Sequence, residues 1–281
     1  AMNLYEWQAA FAAAYKERHP YPYDLPEFMP SVSGLGKCAR QQWYRLRHLP
    51  EPAEPLEVQW QQDEGHDQEV IIWRVLRNMG YAITTQKRNL PFILDGAYGG
   101  HADNYATGND LTERTYVEAK QMNYRRYSRV YLRGVQAGEP VIYAQLQATM
   151  HATGIRQAML ICIADSPTAV KSEVRQQMRY LKLTDSGYVH PLVYRELVPY
   201  NAAVGVSLEL RGRSLYHAAR TKVLPRRELD PQAMEQPKRG EARAKHWQCM
   251  QAYCAFRDAC IAAGPGGAII EQHPVLRGME P

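Results

Sequence analysis

Long hydrophobic runs are missing from this sequence of 281 residues. No stretch approaches the ~20 apolar residues of a membrane helix, so a membrane-spanning protein is not expected. The N-terminus has no basic segment followed by an apolar core, so neither is secretion. Cysteine is sparse, with five residues in all. Without a secretory signal, that argues against a disulfide framework and for a reducing cytosol, which makes the cysteine spacing informative. No flavin or nicotinamide fingerprint is present, which argues against a redox enzyme. Neither sign of charge dominates: a net charge of +5 and a pI near 8.9 permit a polyanionic partner without requiring one. What is present is an ordinary globular composition, 45% hydrophobic, in a chain long enough for one large domain or two small ones.

Periodicity divides the chain. Residues 3–17 read as a helix with Leu4, Trp7, Phe11 and Tyr15 on one face. Four prolines make 19–30 an irregular crossing. In 31–47, Ser33 or Ser31 is a candidate cap for a short helix carrying Cys38, Arg40 and Tyr44. PEPAEP, 50–55, is a connector. Residues 64–79 predict a helix ended by Gly80, with Glu69, Ile72, Trp73 and Leu76 on one stripe. A carboxylate on that buried stripe needs a partner, either a basic side chain or a metal. A strand is expected over 81–94, a helix over 141–155 stopped by Gly154, and a central strand over 158–165 in which Cys162 fills space. TDSG marks a turn in the ill-defined stretch 168–200, and a long helical pattern follows over 200–223. From Arg211 to Lys245, ten Lys or Arg face four Asp or Glu, which is either a solvated run or a DNA-contacting surface.

The most informative stretch is HADNYATGNDLTERTYVEAK, residues 101–120. Alternation through His101, Asp103 and Tyr105 predicts a strand, TGND a tight turn, and Tyr116 to Lys120 a returning strand. The hairpin sets Asp103 and Glu118 on one face. Two carboxylates that close repel, and a hard divalent cation between them reverses the sign. Downstream, NYRRYSRVYLRG (123–134) holds four arginines and no acid. On a helix, Tyr124, Tyr127 and Tyr131 share a face while Arg125, Arg126, Arg129 and Arg133 fan across another. That fits phosphate binding with base stacking, and equally a tyrosine face packed on the sheet with a solvated basic face.

Asp103, then a spacer, then Glu118-Ala119-Lys120 resembles the active site of the PD-(D/E)XK nucleases. Gly65-x-x-x-Glu69 and Tyr143-x-Gln145-x-Gln147 are similar to two helix motifs of their lambda-exonuclease-like (YqaJ) branch. Cys38 in KCARQQWYR, with Cys249, Cys254 and Cys260 in QCMQAYCAFRDAC, resembles the iron–sulfur staple of AddAB-type and CRISPR-associated nucleases. Cys249 departs from the usual Cys-x-x-Cys, which would need cysteine where Gln251 stands.

The resemblance implies one domain over 1–281, an α/β restriction-endonuclease-like core whose central mixed sheet is flanked by helices. A four-cysteine staple formed by 31–47 and 245–262 would tie its ends. It implies Mg²⁺ or Mn²⁺ held by Glu69, Asp103, Glu118 and the Ala119 carbonyl, with Lys120 and the Gln145 and Gln147 amides at the reacting phosphate. It implies DNA held by Tyr124, Arg125, Arg126, Tyr127 and Arg129, and a [4Fe–4S] cluster, or zinc, on Cys38, Cys249, Cys254 and Cys260. The implied function is a metal-dependent DNA exonuclease acting on single- or double-stranded ends, in recombination or end processing. It would work in the cytoplasm of a bacterium or of a virus's host, with a recombination protein as a possible partner. The alternative is a non-catalytic DNA-binding protein of the same fold.

Overall fold

A computed structural model describes residues 25–49, 56–84, 90–165, 193–228, 254, 256–263 and 268–269. The helix expected over 3–17, the connector 50–55, the TDSG turn, the part of the basic run beyond residue 228 and Cys249 lie outside these residues.

A five-stranded sheet organises the described chain. In chain order, its strands are β1 (Ala82–Ile83), β4 (Asn104–Gly108), β5 (Leu111–Met122), β6 (Gln157–Ala164) and β7 (Val193–Pro199). They lie side by side as β1-β4-β5-β6-β7. The β5–β6 pair is parallel and the others antiparallel, giving the expected mixed sheet. The TGND turn works through two positive-φ residues, Gly108 at 85° and Asn109 at 54°, which reverse the chain from β4 into β5. The predicted central strand is β6, whose near-continuous apolar run is covered on both faces.

The parallel pair needs a crossover, supplied by α3 (Tyr124–Gly138) and α4 (Pro140–Thr153). Asn123 caps α3 by accepting from the Arg126 N–H, Pro140 opens α4, and Gly154 ends it at φ 70°. Tyr127, Val130, Leu146 and Met150 pack on the sheet face that carries Tyr116, Met122, Leu160 and Cys162. The opposite face carries Val117, Ala119, Met159 and Ile161, and is covered by Ile72, Trp73 and Leu76 of α2 (Leu56–Asn78). Below the crossover, α5 (Ala202–Arg220) runs against β3 (Tyr98–Ala102), which pairs with β2 (Leu90–Leu94) as a separate ribbon. The Tyr98 hydroxyl donates to the Ala148 carbonyl at 2.9 Å and joins that ribbon to α4.

Four expectations are corrected. The helix ending before Gly80 begins at Leu56, not at 64. The stretch 81–94 holds two strands in different sheets, β1 beside β4 and β2 beside β3. Neither Ser31 nor Ser33 caps the cysteine-bearing helix. Residues 32–34 form a 3₁₀ turn, and α1 (Ala39–Leu46) starts with Cys38 in the capping position. The arginine-rich helix continues past Gly134, where φ is 70°, and the Val135 N–H freed by the kink donates to Glu196 at 2.8 Å.

The described parts of the two chain ends meet. Trp43 and Tyr44 of α1 pack with Cys254, Phe256, Cys260 of α6 (Arg257–Ala262) and Leu224 of β8 (Val223–Leu224). β8 pairs with β9 (Ala268–Ile269). Among the described residues, no helix is long and apolar enough to cross a membrane.

Gly212 of α5 touches backbone: a Cβ there would lie 2.7 Å from the Ala97 carbonyl oxygen. In a free helix, Gly→Ala gains up to about 1 kcal/mol. Here the clash is with main chain that cannot rotate away, and overpacking costs about 1–3 kcal/mol. Gly212→Ala is expected to lower the urea midpoint with an unchanged slope.

Candidate active site

Asp103 sits where the chain changes sheets. Ala102 pairs with Leu90 in the ribbon and Asn104 with Val117 in the main sheet, so Asp103 belongs to neither ladder. Its carboxylate takes over where the β4 backbone leaves off: the Ala119 N–H donates to Asp103 Oδ2 at 3.2 Å. Asp103 is thereby held beside β5, one residue from Glu118.

Glu118 has no exposed surface. Its Oε1 accepts from Gln145 Nε2 of α4 at 2.8 Å and is in contact with the Lys120 ammonium, while its Oε2 is buried with no hydrogen-bond partner. Successive β5 side chains alternate between faces, so Glu118 and Lys120 share one face. Burial, then the Glu118 charge, pushes the Asp103 carboxyl well above the usual range, with Lys120 pulling the other way. Burial also raises Glu118 against the opposing pull of Lys120. Burial works against the Lys120 charge, but Glu118 and Asp103 outweigh it and hold the ammonium protonated. Glu69 of α2, half-buried, adds its negative charge to the field felt by all three. Four of the expected residues therefore act on one another, from β5, the link between β3 and β4, and α2. Among the described residues, no three His, Cys, Asp or Glu side chains are already arranged as a cation cage.

The two glutamines separate. Gln145 faces Glu118, whereas Gln147 is fully buried elsewhere, donating to the Pro199 carbonyl at 2.9 Å and accepting from the Asn201 N–H at 2.7 Å. Residues two apart on a helix point to nearly opposite sides, so Gln147 is a structural tie and not part of this constellation.

Of the DNA-binding set, the structure removes Tyr127. Tyr127 is fully buried and stacks on Tyr131, so it offers no face to a base. Arg126 and Arg129 both pair with Glu139, which ties them across the kink. Arg125 lies over the Tyr124 ring with its guanidinium 5.6 Å from the centroid, and Tyr124, Arg125 and the partly exposed Arg126 and Arg129 all reach the surface. Sequence reading missed Glu139. Its signal was an acid just before Pro140 at a helix start.

Cys38, Cys254 and Cys260 are buried and reduced. Burial, with smaller contributions from the neighbouring thiols, pushes the Cys38 and Cys254 pKa values up. Arg40, almost fully buried, donates Nε to the Pro225 carbonyl at 2.7 Å and reaches Cys260 Sγ with Nη1 at 3.7 Å. Arg227 donates to the Cys260 carbonyl at 2.6 Å. Cys162 stands apart in β6, fully buried, its thiol pushed up to about 12 by burial.

No protein-family model matches the chain, and no curated protein matches it. Solved structures show a distant likeness. An alkaline exonuclease, LHK-Exo from Laribacter hongkongensis, is 12% identical, with 69% of this chain and 89% of that chain covered and a TM-score of 0.44. Its complex with dAMP gives the same values. A protein designated SSO0001 is 14% identical, with 92% of this chain and 96% of that chain covered and a TM-score of 0.41.

Proposed function

We propose that this chain is a divalent-cation-dependent deoxyribonuclease that hydrolyses phosphodiester bonds at DNA ends. The observation that carries the reading is the unpartnered buried Oε2 of Glu118, set beside Asp103 and Lys120. A buried carboxylate oxygen without a donor is costly, and two carboxyls held together with raised pKa values gain by sharing a cation. The donor set fits Mg²⁺ or Mn²⁺, which bind carboxylate and carbonyl oxygens. Asp103, Glu118, Glu69 and the Ala119 carbonyl would hold the ion. When bound, it would supply Lewis-acid polarisation of the phosphate and a water of lowered pKa.

The chain's own groups do the rest. Lys120 keeps a permanent charge next to the carboxylates, where it orients a water or stabilises charge building on the phosphate. Gln145 fixes the Glu118 carboxylate through Oε1 and so determines where Oε2 points. Tyr124 and Arg125 offer an aromatic face and a guanidinium to a strand. For the staple, Cys38, Cys254 and Cys260 supply soft thiol donors that fit a [4Fe–4S] cluster or zinc, with Cys249 as the fourth.

Asp103→Asn, Glu118→Gln and Lys120→Ala are each expected to lower cleavage of end-labelled DNA by more than about a hundredfold. Mn²⁺ should raise the melting temperature of the wild type at neutral pH. Raised carboxyl pKa values make folding less favourable as pH climbs above the unfolded value of about 4, so that increment should shrink toward acid pH. Retained DNA binding without cleavage in any divalent ion would favour the non-catalytic alternative.

Gln145→Leu is expected to slow cleavage while folding normally. Gln147→Leu strands the Pro199 carbonyl and the Asn201 N–H, so it should cost about 1–3 kcal/mol of stability with little change in turnover of the folded fraction.

Anaerobically purified protein is expected to contain iron and sulfide, or stoichiometric zinc, and to lose the metal in Cys38→Ala and Cys260→Ala. Cys162→Ser should keep it. Metal-free wild type that is as stable as Cys38→Ala would remove the staple.

A further inference from the structure

Helix α1 brings two buried polar side chains to the clasp between the chain ends. Arg40 and Tyr44 stand four residues apart and so share a helix face. Arg40, 1% exposed, donates Nη1 to the Cys260 carbonyl and reaches the Cys260 sulfur at 3.7 Å. Tyr44 has no exposed surface, and its hydroxyl is buried without a hydrogen-bond partner among the described residues. The ring is not free to swing toward one. Trp43 meets it edge-on with centroids 5.4 Å apart, and Phe256 packs on it at 5.1 Å. A buried tyrosine hydroxyl normally finds an acceptor, so a retained orphan calls for one that is missing.

What surrounds the hydroxyl is sulfur. Tyr44 packs in one cluster with Cys254 and Cys260, and the phenol feels the charges of Cys260, Cys254 and Cys38, with Arg40 opposing them. The sulfurs are themselves supplied with donors. Besides Arg40 at Cys260, the Gln41 and Arg40 N–H groups favour the Cys38 anion, and the Phe256 N–H favours that of Cys254. A neutral thiol is a weak acceptor, whereas hydrogen bonds to an ionised group are about twice as strong. Donors gathered on three buried sulfurs therefore suit thiolates. Burial opposes that state, and a coordinated metal imposes it.

We propose that the Tyr44 hydroxyl donates to the anionic sulfur of a metal centre on the staple cysteines and tunes that centre. The inference rests on the staple reading above. Zinc offers ligand thiolates as the acceptor, and a [4Fe–4S] cluster offers its sulfides as well. Tyr44 is a positioning residue and not a ligand, because burial keeps the proton on its phenol. Groups that hydrogen-bond to metal ligands change affinity by about 10–100-fold and, in iron–sulfur proteins, help to set the reduction potential. A donor to sulfur favours the more negative, reduced cluster, so its loss lowers the potential.

The test reads the metal itself in intact, anaerobically purified protein and uses no DNA. If the protein holds zinc, its release to excess chelator is followed; if it holds iron and sulfide, the midpoint potential is titrated. Tyr44→Phe is expected to release zinc at least tenfold faster. In the iron–sulfur case it should shift the redox equilibrium tenfold toward the oxidised form, about 59 mV for one electron. Tyr44→fluorotyrosine, with the fluorine beside the hydroxyl, nearly keeps the shape and strengthens the donor, so each reading should move the other way. A side chain that only fills space would give no such reversal. The proposal is overturned if metal-loaded Tyr44→Phe matches the wild type, or if the two variants shift in the same direction. Should Tyr44→Phe fail to fold, a fluorotyrosine protein identical to the wild type overturns it. Wild type without either metal removes the staple and this inference together, whereas metal present with unchanged properties removes this inference alone. Neither result bears on hydrolysis at Asp103 and Glu118.

Discussion

A carboxylate with no exposed surface in the middle of a sheet constrains everything packed around it, and Glu118 is that carboxylate. Left unpaired, a buried charge costs several kcal/mol, so its surroundings must hold donors at fixed positions. Lys120 supplies one from the same strand face, Gln145 the other from α4. The second donor requires α4 to keep its place over β5. Several contacts enforce that place: the Tyr98 hydroxyl on the Ala148 carbonyl, and the two bonds of the Gln147 side chain to the backbone between the end of β7 and the start of α5. Gly36 matters for the same reason, since a Cβ there would lie 2.9 Å from the Val141 backbone.

The clasp between chain ends obeys a different logic. Sequence positions about two hundred residues apart come together around Cys38, Cys254 and Cys260, and closing so long a loop is entropically costly. Directional bonds from buried or half-buried arginines offset part of that cost. Arg40 holds Pro225 and Cys260, Arg211 joins the Lys37 carbonyl to Glu228, and Glu228 accepts from the Ala39 N–H that opens α1. The thiols therefore sit inside a network that already has polar ties of its own. A metal on those thiols would add to the closure and would not be its sole cause.

Legibility followed the strength of local periodicity. The β4–β5 turn, β6 and α4 could be read because alternation, an apolar run and a terminal glycine are local signals. The early turns of α2 could not, since Trp60 there is 48% exposed and no apolar stripe announces the helix. β1 has two residues, too few to show a period, so its separation from β2 was invisible. At the site, alternation placed Asp103 on the face of Glu118, but not the break in pairing that frees its carboxylate for the Ala119 N–H. The Gln145–Gln147 pair shows a different failure. Helical rotation alone separates positions two apart, yet family resemblance grouped them. Arg126 and Arg129 could be recognised as basic but not as tied, because Glu139 lies ten or more residues on, beyond a kink.

Four other acids among the described residues bear on the proposed role of Glu118. Glu139 uses both oxygens, one for Arg126 and one for Arg129. Glu209 divides its oxygens between Arg213 and His151, and Asp110 divides its own between Tyr81 and Arg195. Glu228 gives one to Arg211 and the other to Arg211 and the Ala39 N–H. Glu139 is buried and the other three are partly or well exposed, and each is saturated by protein on both oxygens. Glu118 has no water to fall back on, yet crowds two donors onto Oε1 and leaves Oε2 with none. The other four share their donors between both oxygens. Half-buried Glu196 also takes two donors on one oxygen, from the Val135 N–H and the Tyr194 hydroxyl, but it is not sealed from water as Glu118 is. Under the proposed function, a cation beside Asp103 and within the field of Glu69 would complete the set.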